Sequence, residues 1–224
     1  LLSIPITFIY DIGYIIKLKR GRVLDYLMIG QYSIHTELLA PFLSILLVSI
    51  LYKSLMKTAL HDWYLNSFLL MIAIYKGSYI LFYFNLFLDT PLSIIYFNGG
   101  WKGWLLAYGG LIIYLLLSRK SKMWIRLEFR SAYLLFLFTY NSLLHLFDLN
   151  LLASGIHIIM LFTLMLAFKW DKTINPRYSK QMFFVYLLIE TLLISLYANL
   201  LNLQTLLMII VGIITFIVSL ASDG

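Results

Sequence analysis

The sequence predicts an all-α fold: a polytopic bundle of about seven transmembrane helices, its amino end outside and its carboxyl end in the cytoplasm. Three observations lead there. Of the 224 residues, 62% are hydrophobic and only 12% are charged, where a soluble domain carries about a quarter charged residues. Apolar runs of the roughly 20 residues that a bilayer core demands recur along the chain. Lys and Arg gather between those runs, the usual device by which a membrane protein fixes its orientation. An open sheet is excluded, because lipid cannot satisfy unpaired backbone groups. The net charge of +7 is therefore read as topogenic, and no nucleic-acid partner is expected. Without cysteine, disulfides, thiol redox chemistry and thiolate metal sites are ruled out.

Residues 1–28 mix short apolar runs with Asp11, Lys17, Lys19, Arg20 and Arg22, the pattern of an interfacial amino-terminal segment. No removable signal peptide is expected, since no short apolar stretch with a small-residue cleavage site follows Leu1. Residues 29–224 form a single transmembrane domain. Its spans are expected near 32–52, 64–88, 103–119, 131–147, 149–168, 181–201 and 204–221. The breaks at Asp148–Asn150 and Asn202–Gln204 imply tight hairpins, and six spans with one re-entrant piece is the alternative. The loops at 53–63, 119–130 and 169–180 carry Lys53, Lys57, Arg119, Lys120, Lys122, Arg126, Arg130, Lys169, Lys172, Arg177 and Lys180. That side is assigned to the cytoplasm. The 17–22 cluster points the other way and is outvoted.

Several polar residues stand at membrane depth. Lys76 falls inside the second span, where a charge costs about 3 kcal/mol on insertion scales. It reads either as an anchor for an anionic group such as a lipid phosphate, or as a snorkelling or internally paired lysine with Glu37 or Glu190 as partner. His145 and His157, in the fourth and fifth spans, read first as hydrogen-bonded helix glue. Nothing in their spacing suggests a metal site, and no cofactor is expected. Gly99, Gly100, Gly103, Gly109 and Gly110 permit close helix packing, or the approach of a ligand head group to bare backbone.

These islands, in order, carry a family resemblance. Trp101-Lys102-Gly103-Trp104-Leu105-Leu106-Ala107-Tyr108-Gly109-Gly110-Leu111-Ile112 resembles, without a gap, the W-x-G-G-x-x-x-H-G-G-L-I signature of bacterial prolipoprotein diacylglyceryl transferases. Tyr75-Lys76-Gly77-Ser78-Tyr79-Ile80-Leu81-Phe82-Tyr83 is similar to the family's A-R-x-G-Y-V-L-F-Y, and Ile29 to His35 to its entry into the first span. Pro176-Arg177-Tyr178-Ser179-Lys180-Gln181-Met182-Phe183 resembles P-R-H-P-S-Q-L-Y, and Gln204 to Leu220 the family's last span.

The resemblance implies a multi-pass protein of the bacterial cytoplasmic membrane that handles phosphatidylglycerol, with a lipoprotein precursor or a membrane complex as its protein partner. It places lipid contacts at Lys76, Tyr79, Gly109, Gly110, Arg177 and Gln181, and catalytic groups at Tyr108 and His35. The family moves diacylglycerol from phosphatidylglycerol onto a cysteine thiol. That chemistry needs cations on the phosphate and a base for the thiol. Here the signature histidine is Tyr108, and a phenol, which ordinarily ionises near ~10, is a poor base. The G-R-x-G-N-F-x-N motif has no counterpart between Ser131 and Leu152, and Phe184 stands where a glutamate is usual. The arginine segment before the last helix is missing too. Three functions are therefore expected in turn: a lipid-binding scaffold without the transfer chemistry, an active transferase with relocated groups, and a transporter routed along Lys76, Glu37 and Glu190.

Overall fold

The computed structural model of the chain describes residues 26–29, 32–96, 99–118, 123–171, 176–197 and 202–220. Apart from one hairpin, every described element is helical. β1 (Tyr26–Ile29) and β2 (Tyr32–His35) pair antiparallel, Tyr26 opposite His35 and Ile29 opposite Tyr32. Tyrosine and isoleucine favour the pleated conformation, and the two runs flank Gly30-Gln31 in the sequence. The hairpin takes residues expected in the first span, so α1 runs Thr36–Met56 and His35 belongs to β2. The rest of the expected interfacial segment, residues 1–25, lies outside the described residues.

The helices that follow are α2 (Trp63–Phe82), α3 (Phe84–Asp89), α4 (Ser93–Tyr96), α5 (Gly100–Ser118), α6 (Met123–Phe147), α7 (Leu151–Asp171), α8 (Pro176–Tyr197) and α9 (Leu203–Leu220). Among the described residues five helices are long and apolar enough to cross a membrane: α1, α2, α5, α7 and α8. Their exposed side chains include Ile50, Leu69, Ile113, Phe162 and Leu192, a surface that lipid solvates and water does not. α9 holds a shorter apolar stretch, Thr205–Ile217. α6 falls outside the five, and Arg130, Ser131, Thr139, Asn141, Ser142 and His145 on it are all buried.

The span expected at 64–88 is divided. Tyr83 leaves helical geometry at φ −136° and ψ 47°, which ends α2 at Phe82 and starts α3 as a separate piece. The 20 residues of α2, at about 1.5 Å each, already match the hydrocarbon thickness of roughly 30 Å.

The chain divides into two compact units. In the first, Leu1–Val48 with Phe136–Thr163, the α6–α7 junction is the tightest feature. Leu149 adopts φ +56°, and the Asn150 N–H donates back to the His145 carbonyl at 2.9 Å, closing α6 in a Schellman turn. The Asn150 side-chain oxygen then accepts the Ala153 N–H at 3.2 Å, capping α7. One asparagine ends a helix and begins the next. Across this hairpin the Ser154 hydroxyl donates to the Ser142 carbonyl at 3.0 Å.

The second unit is Ser49–Leu135 with Leu164–Gly224. Its closest helix pair is α2 against α5. Lipid is as apolar as leucine, so helices here associate through close packing. A Cβ on Gly103 would lie 2.9 Å from Ser78 Oγ and 3.2 Å from the Tyr75 ring, and one on Gly99 would lie 2.9 Å from that ring. Gly110 packs against Ile74, while Gly109 faces open space. α9 packs on α5 and α8, with Gly212 against Leu187 and Tyr133, and the Tyr133 hydroxyl donates to the Met208 carbonyl. Hydroxyls elsewhere turn back on their own helices: Ser67 donates to Tyr64, Ser78 to Tyr75, Thr191 to Leu187 and Thr215 to Val211, all at 2.7–2.8 Å. Each thereby finds the partner that lipid cannot supply.

Ser78 is held by its bond to Tyr75 and cannot swing away from a new methyl group. Gly103→Ala is expected to destabilise the detergent-solubilised protein by about 1–3 kcal/mol through overpacking, while Gly109→Ala leaves the thermal midpoint unchanged or slightly raised. Equal midpoints for the two variants would contradict the glycine seam.

Candidate functional site

The face of α2 that meets α5 is built from Ile74, Tyr75 and Ser78, spaced by three and four residues as one side of a helix requires. Tyr75 packs on Trp104 with ring centres 4.7 Å apart, and Trp104 on Tyr108 at 5.9 Å. A ladder of three aromatic rings results, with Tyr75 and Tyr108 buried. Tyr79, one turn beyond Tyr75, is also buried, and its hydroxyl shares a 2.6 Å hydrogen bond with Ser93 Oγ. Tyr79, Tyr108 and Gly110 thus belong to one helix pair.

Lys76 is half-buried and leaves α2 elsewhere. It is two residues from both Ile74 and Ser78, or roughly 160° round the helix from each. Its Cβ therefore points away from the glycine seam. Arg177 and Gln181 lie in the first two turns of α8, where Gln181 is exposed. The Arg177 and His35 side chains lie outside the described residues. The lipid-contact residues expected from the sequence are accordingly spread over the α2–α5 pair, the opposite flank of α2 and the start of α8.

Two polar clusters were not anticipated. In the first unit the His145 and His157 rings lie 5.2 Å apart, both buried, and His157 Nδ1 is 2.8 Å from the Ala153 carbonyl. Among the described residues no group of three or more His, Asp or Glu is arranged to hold a metal ion.

The second cluster joins the start of α2 to α6 around Glu128. This carboxylate is buried, its side chain 7% exposed, and both of its oxygens are engaged. His61 Nδ1 donates to Oε1 at 2.7 Å and Trp63 Nε1 to Oε2 at 2.9 Å. The Trp63 ring stands edge-on to Phe129 at 4.0 Å, which seals the pair from one side. His61 itself is 52% exposed. A sequence signal for this cluster existed: Glu128 is the lone acid in a stretch holding Arg119, Lys120, Lys122, Arg126 and Arg130. A stretch read only for its positive charge hid the residue that ties it to the bundle.

No known protein family, no characterised protein and no solved structure matches the chain.

Burial decides the worth of the two Glu128 bonds. Trp63→Phe keeps the ring contact but removes the N–H, and is expected to cost about 1.5–3 kcal/mol, as for hydrogen bonds to charged groups. His61→Gln removes the exposed partner of the pair, leaves the Trp63 bond in place and is expected to cost about 1 kcal/mol. Denaturant titration of the solubilised variants measures both, and a larger loss for His61→Gln would reverse the assignment.

Proposed function

We propose that the chain is a seven-span protein of the bacterial cytoplasmic membrane, built on a scaffold like that of prolipoprotein diacylglyceryl transferases, which binds an anionic, phosphatidylglycerol-like phospholipid without performing the family's transfer reaction. The basic stretches 53–63, 119–130 and 169–180, which in the structure include helix ends, support a cytoplasmic carboxyl end and an external amino end. α6 and α9 supply the two spans beyond the five that are long and apolar enough to cross a membrane.

The observation that carries this reading is Lys76. It is the sole charged residue in the 20-residue helix Trp63–Phe82, and it stays half-buried two-thirds of the way along it. A charge so placed is stabilised by a group of opposite sign that is itself at home at that depth, and a phospholipid phosphate is such a group. The open space beside Gly109 supports approach of a head group to backbone. Against transfer chemistry stands Tyr108 in the place of the family's histidine, buried beside Trp104. Its setting suits packing rather than proton abstraction.

Phospholipid retained through purification can be identified by native mass spectrometry. Lys76→Met is expected to lower retained phosphatidylglycerol about tenfold, the equivalent of about 1.4 kcal/mol, with Lys76→Arg close to the parent. Gly109→Leu should lower retention without lowering the thermal midpoint. Unchanged retention in Lys76→Met would refute the lipid reading. In a strain depleted of its own transferase, the chain is expected not to restore lipoprotein lipidation, and restored lipidation would replace this reading with the active-transferase one.

A further inference from the structure

The connection between α2 and α5 has a composition that aqueous solvent does not explain. α3 contains no buried residue, yet Phe84, Leu86 and Leu88 lie on it, with Leu88 61% exposed. Leu92 follows at 75% exposure, and Trp101, just inside α5, at 62%. At about 100° per residue, Phe84, Phe87 and Leu88 fall within one arc of α3, and Asn85 and Asp89 within another. Leu86, 54% exposed, lies beside Asp89, so apolar side chains project from both flanks of this 6-residue helix.

The segment is also fixed in place. Phe87 stands edge-on to Tyr79 at 6.2 Å, and Tyr79 holds Ser93 at 2.6 Å. Ser93 in turn donates to the Thr90 carbonyl. Phe87 is thus the inward edge of the apolar arc, and Phe84 and Leu88 leave the rest of that face exposed. That face runs without a break into the exposed apolar ends of the two membrane-length helices, Leu81 and Phe82 on α2 and Leu105 on α5. At the same level Lys102 Nζ lies 5.3 Å from the Phe82 ring centre and 5.8 Å from that of Trp101. A cation over aromatic faces beside an exposed tryptophan is the chemistry of the membrane–water boundary.

We propose that residues 83–96 form an in-plane membrane-interface element: the face bearing Phe84, Leu88 and Leu92 sits among the upper acyl chains, while Asn85, Asp89 and the Lys102 ammonium lie at the lipid head groups. Its occupant is the bilayer itself, argued from continuity with the lipid-facing surface of α2 and α5. A polar–apolar helix at that boundary buries its apolar side shallowly. It thereby sets the depth at which α2 and α5 sit. This inference is independent of whether Lys76 binds a phosphate.

The absence of cysteine makes the test direct. Single variants Leu88→Cys, Asp89→Cys and Leu69→Cys, the last from the exposed middle of α2, are spin-labelled and reconstituted in phosphatidylcholine–phosphatidylglycerol vesicles. Collision with oxygen, enriched in lipid, is compared with collision with a water-soluble nickel chelate. The expected order of the oxygen-to-nickel ratio is position 69 highest, position 88 intermediate, and position 89 lowest, with a several-fold drop from 88 to 89. A label at 88 that meets nickel as freely as one at 89 overturns the proposal, because the face is then in water. A label at 88 shielded from both reagents overturns it as well, because a protein covers the face, and spin–spin broadening there would identify that protein as a second copy of the chain.

Discussion

The approach of α2 to α5 across Gly99 and Gly103 is the contact on which the second unit is organised. Leucine against leucine gains nothing over leucine against lipid, so a specific helix pair in a bilayer must bring many atoms to van der Waals distance. Two glycines a turn apart let Tyr75 and Ser78 reach backbone. The ring of Tyr75 is then placed against Trp104, and Trp104 against Tyr108. The connection between the helices has no space in such a tight seam. It is turned out at Tyr83, whose φ and ψ break the helix, and is retied through Tyr79 and Ser93.

The second constraint is the accounting of polar groups. Serines and threonines on α2, α8 and α9 return their hydroxyls to carbonyls three or four residues back, which makes them locally neutral to the membrane. The residues that cannot do so are collected on α6 or at its ends. Tyr133 reaches the Met208 carbonyl, Ser142 receives Ser154, and Glu128 takes donors from His61 and Trp63. α6 carries these groups in both compact units, Glu128 and Tyr133 in one and Ser142 in the other.

Much of this was legible in the sequence. Apolar runs located each long helix but not all of its ends: α6 begins at Met123 and not near 131, because the charged turns that open it carry no apolar run. The Asp148–Asn150 hairpin was legible too, as three residues between two long runs leave room only for a tight turn. Two features were not. The end of α2 at Phe82 could not be read, since Tyr83, Phe84 and Leu86 are as apolar as the helix before them, and only depth in the membrane separates core from boundary. The Glu128 cluster was hidden because its partners, 65 and 67 residues away, leave no local pattern. Of the expected site, Tyr79, Tyr108 and Gly110 lie on one helix pair but in separate contacts, with Ser93, Trp104 and Ile74 in turn. Lys76 falls on the other side of α2 because resemblance in sequence fixes position along a helix, and helical phase fixes direction.

Glu128 and Lys76 show how one rule yields two outcomes. A charge in or beside a bilayer is stabilised by hydrogen-bonding or opposite-charge groups that share its low-dielectric surroundings. Glu128 stands near the end of a bundle, where the chain itself offers an indole N–H and an imidazole with geometry good enough to engage both oxygens. The carboxylate is consequently a structural pin joining α2 to α6. Lys76 stands on a flank of α2 that does not face the glycine seam. A long, flexible ammonium there can track a mobile phosphate without a rigid pocket, since lysine acts as a point charge where arginine would demand a fixed fork.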